Sequence, residues 1–443
     1  MDQGDPGRVE LTQLATLISQ AVSVVGDEYA LAGHAFPLLN STKAGPFDAP
    51  ERTSETLRVA IKTIEAACAQ LSAMVANPGH VITNKTFNYF ESACLRIVME
   101  AKISDLLLDR PEGVHVNELG EKSDRDPGKL SRVLRALATN HVYVEVKPNV
   151  FANNRLSLKL LSSDPVYGLV GHMSDEAMKA GAFLGDVLAD PQTAFSYEAK
   201  NVAFKKANGV LPFEMNIIDK LRGERFNQGM VGWAEVTGRA MIPRIYPWSA
   251  LPSDATIVDV GGGNGHAVLE VIKAFPHLKA IIQDTESVAK DGKKFWTQIY
   301  PEAINNQRVQ FKAFDFLKEP PYANCDIYYL RHVLHDWAGD APVTILSNVR
   351  KAMKSTSKLL IHEFVPQYIV REKSSKAPEP LLPNYGAASR RLYFQDLNMM
   401  QQFNSKERTL EEFIEMGNKA GFEFVKLWDG GEAGILEFNL NKQ

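Results

Sequence analysis

Asp259-Val-Gly-Gly-Gly-Asn-Gly-His266 is the most informative stretch of this chain. It follows the apolar run 255–260 and precedes residues 267–274, whose apolar side chains recur at helical spacing, so it predicts a strand, a glycine turn and a helix. Glycine in such a turn allows positive φ and lets the backbone approach a ligand where a Cβ would collide. We expect this of Gly261, Gly262, Gly263 and Gly265. An ordinary tight turn uses glycine in the same way, so the flanking residues must decide between the two interpretations.

The spacing of the glycines indicates which kind of cofactor the turn would bind. A dinucleotide-binding turn has the pattern Gly-x-Gly-x-x-Gly or Gly-x-Gly-x-x-Ala, but here the last position falls on His266 or Val268, depending on the register. The pattern that fits is Asp-x-Gly-x-Gly, which begins at Asp259. A carboxylate at the end of a strand favours a ligand with a positive charge and no phosphates. S-adenosylmethionine (SAM) is such a ligand.

Residues further along are predicted to hold the rest of this cofactor. Asp284 ends the next apolar run, about twenty residues after the glycines, where a carboxylate meets ribose hydroxyls in such folds. The run after that ends in Asp315 and Phe316, an acid for the adenine amine beside a ring for the adenine face. Arg331, at the end of a fourth run, completes the residues that we assign to the cofactor.

The alternation of apolar runs with helical segments predicts the fold class. The predicted strands are 255–260, 278–284, 309–316 and 325–330. Strands that alternate with helices form mostly parallel sheets, which bind ligands at the carboxyl ends of their strands. The chain is therefore predicted to contain an α/β, Rossmann-like domain with a mostly parallel sheet.

From about residue 165 to its C-terminus, the chain resembles the class I SAM-dependent O-methyltransferases of plant and fungal specialised metabolism, the caffeic acid and flavonoid type. The segments that carry the resemblance are 259–265, 334–337 (Leu-His-Asp-Trp), 361–363 (Ile-His-Glu) and 406–413 (Lys-Glu-Arg-Thr-Leu-Glu-Glu-Phe). In that family the histidine of the His-Asp-Trp motif is the general base, and two glutamates hold it. The resemblance thus implies SAM as the cofactor, His335 as the base, and Glu363 and Glu407 as its supports.

The chemistry of methyl transfer explains why an imidazole is useful. The acceptor oxygen must be held behind the methyl carbon of the sulfonium and must become anionic as the new bond forms. With a phenol pKa near 10 and an imidazole pKa near 6.5, full prior proton transfer would cost roughly 5 kcal/mol, whereas concerted transfer avoids most of this cost. A carboxylate on the other ring nitrogen stabilises the charged imidazole. An aliphatic alcohol is far harder to ionise, so we expect a phenolic or enolic hydroxyl of a small aromatic or polyketide-type metabolite as the acceptor.

The N-terminal third is predicted to be a separate helical unit. Residues 11–25 and 54–75 have the pattern of amphipathic helices, and 92–108 continues as a helix. Residues 116–152 then give two helices and two short strands, which is a winged-helix pattern.

Two domains follow from these patterns: a helical and winged-helix domain at residues 1–165 and a SAM-binding catalytic domain at 166–443. In the resembling family the winged helix serves dimerisation, and the N-terminal helices of one subunit close the acceptor pocket of the other. The resemblance therefore implies an intertwined homodimer.

A winged helix also suggests a rival hypothesis, a DNA-binding regulator that senses a small molecule. The cations predicted to face outward on the helix that begins at Pro127 are Lys129, Arg132 and Arg135. Their acidic neighbours are Glu121, Asp124 and Asp126. These carboxylates and the net charge of -4 oppose binding to phosphates, so we expect no nucleic-acid partner.

The composition is typical of a globular enzyme of two or three domains, since 45% of the 443 residues are hydrophobic. We find no apolar stretch that approaches membrane-spanning length, and the polar start at residues 1–7 is unlike a signal peptide. We therefore expect a cytoplasmic protein without a membrane partner. Cys68, Cys94 and Cys325 are too widely spaced for a disulfide framework or a zinc site, and we expect no metal.

The acceptor pocket is predicted to combine residues of the SAM domain with segments outside it. The candidates are His172, Met173, Phe226, Met230, His332 and Met399. Methionine and aromatic side chains suit a flat, apolar ligand. Core packing explains the same residue types equally well.

A second enzyme hypothesis uses the same fold without methyl transfer. Some fungal proteins that resemble this family keep SAM bound but catalyse dehydration or pericyclic ring closure by polarising a carbonyl. His172, Arg331 and His332 would be the polarising groups in this chain. The intact set of a base and two supports favours methyl transfer, because a pericyclase has no evident need for it.

Some of these residues also have plainer interpretations. His332 could share a helix face with His335, three residues later, or be an ordinary satisfied polar group. His362 is expected to point to the opposite side of its strand from the glutamate that follows it. Glu407 lies in a run of charges that resembles a solvated helix start, and 367–386, rich in Lys, Ser and Pro, is predicted to be a mobile loop.

Overall fold

A computed structural model describes residues 5–373 and 375–441. Within these ranges the helices are α1 (Pro6–Leu31), α2 (Glu55–Val75), α3 (Pro78–Phe87), α4 (Tyr89–Glu100), α5 (Ile103–Leu106), α6 (Val116–Ser123), α7 (Pro127–Thr139), α8 (Pro165–His172), α9 (Met178–Ala182), α10 (Leu184–Ala189), α11 (Ala203–Asn208), α12 (Pro212–Ile218), α13 (Lys220–Val236), α14 (Ile242–Ile245), α15 (His266–Ala274), α16 (Glu286–Ile299), α17 (Pro301–Asn305), α18 (Ala341–Ala352), α19 (Arg390–Phe403) and α20 (Leu410–Lys419). The strands are β1 (Val114–His115), β2 (Val144–Lys147), β3 (Val150–Ala152), β4 (Thr256–Val260), β5 (Lys279–Asp284), β6 (Val309–Ala313), β7 (Ile327–Arg331), β8 (Lys358–Glu363), β9 (Phe422–Trp428) and β10 (Gly434–Leu440).

The chain divides into two compact units. The first comprises the described residues of 1–183, 207–233 and 368–391. The second comprises the described residues of 184–206, 234–367 and 392–443.

The second unit is built on a sheet with the strand order β6-β5-β4-β7-β8-β10-β9. β4 pairs in parallel with β5 and β7, and the outer pairs β5–β6 and β7–β8 are also parallel. β10 is antiparallel to both β8 and β9. The prediction of an α/β, Rossmann-like fold with a mostly parallel sheet is confirmed. The strand order reverses beside β4, and such a reversal is where open α/β sheets bind ligands.

Both faces of this sheet are buried, which explains why its strands are nearly continuous apolar runs. Val258 and Val260 of β4 belong to one cluster of buried side chains, together with Leu330 of β7. Ile257 and Tyr329, at alternate positions of the same strands, belong to the other cluster. Since successive side chains of a strand point to opposite faces, the two clusters cover the two sides of the sheet.

In the first unit, α1 and α2 pack as an antiparallel pair. Ser54, which caps α2, donates from Oγ to Glu28 near the end of α1 at 2.6 Å. Gln70, near the end of α2, donates to Glu10 near the start of α1 at 2.9 Å. Apolar residues of the two helices are buried between them, including Val25 of α1.

α1 corrects the expectation about apolar length. The helix spans Pro6–Leu31, much longer than the predicted 11–25, and its most apolar window has a mean hydropathy of 1.2 with 17% of its residues buried. By length and composition alone it is long enough to cross a membrane, so the statement that no stretch approaches such length was wrong. Uncharged Ser, Thr and Gln residues interrupt its apolar residues, so a search for continuous apolar runs underestimates the length of this segment.

The region that follows has the predicted elements, with one correction. α6 and α7 have the predicted bounds, and β2 and β3 flank Pro148-Asn149 and pair with each other, while β3 also pairs with the short, unpredicted β1 in the sheet order β1-β3-β2. Arg135 of α7 donates to Glu145 of β2 from Nε and Nη2 at 3.1 and 3.0 Å. The helix predicted at 92–108 is instead interrupted between α4 and α5, because Lys102 has a φ of 51°.

The segment predicted to be a mobile loop contacts the helix pair of the first unit. Ala377 and Leu381 are buried against Leu14, Ala66 and Ala67. Arg371 donates to the carbonyl oxygens of Ala377 and Leu381, which ties the segment to itself. The segment therefore has buried contacts although its described residues form no long helix or strand.

Candidate active site

The glycine turn after β4 is tight, and one of its glycines differs from expectation. Gly261, Gly263 and Gly265 have φ values of 69°, 59° and 76°, as predicted. Gly262 does not have positive φ, and glycine is needed there for another reason: a Cβ would lie 2.4 Å from Asp259 Cγ. A Cβ on Gly263 would meet nothing within 4 Å, so the turn is open at that position.

Asp259 is a buried carboxylate with an unused oxygen. It is 1% exposed, and its Oδ2 has no hydrogen-bond partner among the described residues. Burial and the charge of Asp284 raise the pKa of Asp259 to about 7, although Arg331 opposes this. A buried acceptor without a partner is costly, and a nearby cation would both satisfy it and keep it ionised. The end of β4 thus fits a positively charged ligand group.

Asp284 and Phe316 lie around the same turn. The two carboxylate oxygens of Asp284 accept from Gly263 N at 2.9 Å and from Thr285 N at 2.7 Å, and carboxylate oxygens retain further lone pairs for hydroxyl donors. The Phe316 ring lies 3.3 Å from where a Cβ of Gly261 would be. The ring therefore lies directly beside the glycine turn.

Asp315 and Arg331 have partners of their own. Asp315 pairs with Lys318 at 2.7 Å, and its side chain is 43% exposed. Arg331 donates from Nη2 to Thr237 Oγ1 at 3.4 Å, while its buried Nε has no partner within residues 5–373 and 375–441. Of the cofactor residues predicted from the sequence, Asp315 is the one whose carboxylate is already engaged by a lysine.

His335 lies in a single 3₁₀ turn, Leu334–Asp336, between β7 and α18. Its Nδ1 is 2.8 Å from Glu407 Oε1, and both side chains are buried, with exposures of 8% and 0%. Its Nε2 makes no hydrogen bond in the described part of the chain. A ring with one nitrogen fixed by a carboxylate and the other unengaged is suited to proton transfer.

Glu363 ends β8 and holds the turn that carries His335. Its Oε1 accepts from the backbone N–H groups of Val333 and Leu334 at 3.0 and 2.9 Å. Its Oε2 has no hydrogen bond within the described ranges and lies 3.7 Å from His335 Nδ1. The three residues assigned from the family resemblance are therefore brought together, although Glu407 lies in a charged run that looked solvated.

The carboxylates around His335 control its protonation. Burial alone would lower the pKa of His335, but the charges of Glu407, Glu363 and Asp336 outweigh it and raise the pKa to about 10. Asp336, whose Oδ1 is 3.6 Å from His335 Nε2, was not singled out from the sequence although it belongs to the same motif. The free protein therefore carries a charged imidazole at neutral pH.

His332 reaches His335 in a way that the sequence did not indicate. It has a φ of 52°, directly after β7, so the expectation of a shared helix face was wrong. The two imidazole rings stack instead, with centroids 5.3 Å apart and planes 25° apart. His362 Nδ1 contacts Tyr329 Oη at 2.6 Å, and the His362 ring stacks with that of His332 at 6.3 Å between centroids.

The first unit contains most of the other predicted acceptor residues. His172 Nδ1 contacts Glu176 Oε1 at 2.8 Å, and its ring meets Phe226 edge-on with centroids 5.2 Å apart. Met173 and Met230 belong to the same unit, whereas Met399 is buried in α19 of the second unit. The sequence missed Arg225, which donates to both Glu176 and Asp175.

Further residues of the second unit support the catalytic turn without having been predicted. Arg408 donates to the carbonyl oxygens of Leu334 and Trp337 at 2.8 and 2.7 Å. Asp396 accepts from Glu407 N at 2.8 Å and so fixes the backbone beside the carboxylate. Arg408 follows Glu407 in the matched segment, but no sequence pattern marks Asp396.

Known proteins are similar to this chain in sequence and in fold. A sequence profile of the O-methyltransferase domain matches residues 188–423. The protein named "3-O-methyltransferase 2" of Phanerochaete chrysosporium is 47% identical over 439 residues, which cover 98% of each chain. "O-methyltransferase tpcA" of Aspergillus fumigatus is 32% identical, over 95% of this chain and 94% of the relative.

Solved structures agree at the level of the fold. The structure described as OxaC in complex with SAH (S-adenosylhomocysteine) and oxaline has a TM-score of 0.69 and 22% identity, over 97% of this chain and 100% of that one. The sequence profile and the two relatives assign this chain to one family, and the geometry around Asp259 and His335 agrees with it. The chain belongs to the O-methyltransferase family, and it is an enzyme that uses SAM as its cofactor.

Proposed function

We propose that this enzyme transfers the methyl group of SAM to a phenolic or enolic hydroxyl of a small aromatic or polyketide-type metabolite, with His335 as the general base. The observation that carries the proposal is the buried contact of 2.8 Å between His335 Nδ1 and Glu407 Oε1, while Nε2, which lies 3.6 Å from Asp336 Oδ1, makes no hydrogen bond in the described residues. In this geometry Nε2 accepts the proton of the acceptor hydroxyl, while Glu407 stabilises the imidazolium that results.

The residues around the glycine turn would hold the cofactor. Asp259 would bind a positively charged group through its unused Oδ2, and Asp284 would accept hydrogen bonds from ribose hydroxyls. Phe316 would flank the adenine, beside the backbone of Gly261 and Gly263. Asp315 and Arg331 complete the proposed set. SAM supplies an electrophilic methyl carbon, and the protein orients the acceptor oxygen behind it.

The protonation of His335 must change before it can act as a base. Three carboxylates hold a proton on the ring in the free protein. A sulfonium held near His335 would disfavour a second cation there and so would lower the pKa of His335. Cofactor binding would then favour the neutral imidazole that His335 needs to accept a proton.

For the acceptor, we propose contacts from two sets of side chains: His172, Met173, Phe226 and Met230, and His332 and Met399. The name of the relative from Phanerochaete chrysosporium, a 3-O-methyltransferase, supports an oxygen acceptor. The predominance of apolar and aromatic side chains supports a flat acceptor with few polar groups.

The alternative is a pericyclase or dehydratase that keeps SAM intact and polarises a carbonyl with His172, Arg331 and His332. The unpartnered Nε of Arg331, within residues 5–373 and 375–441, is the observation that favours it. A solved structure of LepI in complex with SAM has a TM-score of 0.69 at 20% identity, which supports a common fold and no more. Methyl transfer accounts for His335, Glu363 and Glu407 together, and the alternative does not.

Mass spectrometry of both cofactor and product decides between them. The enzyme is incubated with SAM and a panel of phenols and polyketide extracts. Methyl transfer gives S-adenosylhomocysteine and a product heavier by one methylene group. An isomeric or dehydrated product with SAM unspent would overturn the proposal in favour of the alternative.

We further propose that residues 1–165 serve dimerisation, that 166–443 carry catalysis, and that the enzyme is a cytoplasmic homodimer without nucleic-acid partners. The packing of α1 on α2 through buried residues such as Val25 supports a helix that needs no bilayer. Light scattering without detergent should give twice the chain mass. A monomer at all concentrations, or protein that requires detergent, would contradict this.

A further inference from the structure

His332 is a buried histidine that the proposed reaction does not use directly. It follows β7 in the left-handed region, with a φ of 52°, which is uncommon for a residue with a Cβ and strains the backbone. Its ring is stacked between His335, at 5.3 Å, and Phe364, at 5.0 Å. Neither of its ring nitrogens has a hydrogen-bond partner in the described part of the chain. A strained backbone that buries an unsatisfied side chain indicates a specific role.

A carboxylate oxygen close to this ring belongs to a residue that also faces His335. His332 Nδ1 is 3.4 Å from Glu363 Oε2, and His335 Nδ1 is 3.7 Å from the same oxygen. The other oxygen of Glu363 is fixed by two backbone N–H groups, so Oε2 lies between the two imidazoles. His335 Nδ1 has one proton, and Glu407 accepts it at 2.8 Å. The two glutamates therefore compete for one donor.

We propose that His332 is a positioning residue that holds Glu363 Oε2 back from His335, so that Glu407 remains the close carboxylate of the base. The inference rests on the proposed function, since it concerns the same base. With its proton on Nδ1, the neutral tautomer places a donor 3.4 Å from Oε2, and although the two atoms do not have hydrogen-bond geometry, the attraction between them opposes a shift of Oε2 toward His335. Burial and the charge of Arg331, together with His335 and His266, lower the pKa of His332 well below its usual value and keep it neutral.

Loss of this donor has a defined electrostatic consequence. The groups that face His335 are Glu407, Glu363, Asp336 and the His332 ring. Without the His332 donor, the charge of Glu363 is compensated less and acts more strongly on His335. Its imidazolium form is then favoured, and the pKa of His335 rises. A base with a higher pKa is protonated over a wider pH range, so methyl transfer would need a higher pH.

Three variants separate the donor from the ring and from the backbone. His332→Phe keeps an aromatic ring for stacking but loses the donor. His332→Gly also loses the donor, and glycine tolerates the positive φ, so this variant guards against misfolding. His332→Asn retains an amide donor near the position of Nδ1, and asparagine also tolerates this backbone region. As a packing control, Phe364→Leu removes the ring on the other face of His332 and leaves every donor in place.

The measurement is an NMR titration of the ¹³C-labelled His335 ring in the full chain with S-adenosylhomocysteine bound. The signal of this ring is the one that is missing from the spectrum of His335→Ala. We expect the pKa of His335 to rise by about one unit in His332→Phe and in His332→Gly, and to stay near wild type in His332→Asn and in Phe364→Leu. An unchanged value in both donorless variants, or an equal rise in Phe364→Leu, would overturn the proposal. The readout needs no acceptor. It therefore stands apart from the test of the base, in which His335→Ala either abolishes or retains methyl transfer.

Discussion

Each unit contains a buried histidine whose Nδ1 lies 2.8 Å from a glutamate: His172 with Glu176 in the first unit, and His335 with Glu407 in the second. The contacts are alike in distance and burial, but the surroundings of the two glutamates differ. Arg225 donates to the second oxygen of Glu176, whereas Oε2 of Glu407 has no hydrogen-bond partner in the described residues. A histidine–carboxylate contact is therefore not sufficient evidence of a base, and the compensation of the carboxylate has to be examined as well.

The comparison extends to the neighbouring acids. In the first unit Asp175 forms ion pairs within 3.0 Å with Arg96, Lys179 and Arg225. These ion pairs connect α4, α9 and α13. In the second unit Glu363 contacts backbone N–H groups and two imidazoles, and its Oε2 is unpaired within residues 5–373 and 375–441. The first cluster is an ion-pair network in which cations compensate the carboxylates, whereas the second contains carboxylate oxygens without a hydrogen-bond partner in the described residues.

The largest expected difference is between His335→Ala and His172→Ala. We expect His335→Ala to lower kcat by roughly 10²–10⁴-fold, because it removes the proposed general base, while SAM affinity is retained. His172→Ala should mainly raise KM for the acceptor, because its ring is proposed to contact the acceptor and not its reacting proton. Steady-state kinetics of purified variants, with SAM affinity measured by calorimetry, distinguishes them. Equal losses of kcat in both variants would remove the distinction between the two pairs.

The next prediction concerns stability, for which we expect the larger effect from the variant in the first unit. Arg225→Met leaves the buried carboxylates of Asp175 and Glu176 short of a partner and should lower the free energy of unfolding by about 3 kcal/mol. Glu407→Gln keeps a hydrogen-bonding side chain of similar shape and should change it by about 1 kcal/mol or less, while lowering kcat. Urea unfolding of both variants tests this. A larger destabilisation by Glu407→Gln than by Arg225→Met would show that the second cluster is the structural one.

Proton release on cofactor binding is a smaller effect that involves the second unit alone. His335 has a pKa of about 10 and Asp259 a pKa of about 7, and a bound cation lowers both, so SAM should bind more tightly as pH rises and release protons at pH 8. Calorimetry in two buffers of different ionisation enthalpy gives the number released. S-adenosylhomocysteine lacks the sulfonium charge and should release fewer. An identical release by His335→Ala would contradict the assignment of the proton to His335.

The last prediction concerns the pH dependence of folding, to which His335 contributes. The folded-state pKa of His335, about 10, lies above the imidazole value of about 6.5 expected for the unfolded chain, so its charge stabilises the fold fully below the lower value. This stabilisation is lost as pH rises from about 6.5 through about 10. The difference in unfolding free energy between wild type and His335→Gln should therefore shrink between pH 7 and pH 10, as measured by urea unfolding at each pH. A constant difference would argue against a charged His335.

Local pattern was sufficient to predict much of the second unit. The apolar runs gave β4 to β7 within a few residues, because strands buried on both faces are nearly continuous in hydrophobicity. The motif match identified His335, Glu363 and Glu407 although the first and last are 72 residues apart. Periodicity alone would have misplaced Glu407, since the charged run around it resembles an exposed helix start.

The unpredicted features depend on contacts between distant segments. The positive φ of His332 and the position of its ring between His335 and Phe364 follow from how β7 and β8 end side by side, which no local pattern encodes. The Arg225 network depends on the close approach of α8 and α13, where a Cβ on Gly168 would lie 2.7 Å from Arg225 O. Because these glycines lie in two separate helices, no local sequence pattern indicated that the helices approach each other closely.

A crystal structure with S-adenosylhomocysteine and an acceptor that the enzyme methylates tests the central claim most directly. The account predicts that His335 Nε2 lies about 2.6–3.2 Å from the acceptor oxygen, with that oxygen facing the cofactor sulfur and Glu407 still on Nδ1. An acceptor oxygen beyond reach of His335, or a cofactor bound away from Asp259 and the glycine turn, would contradict it.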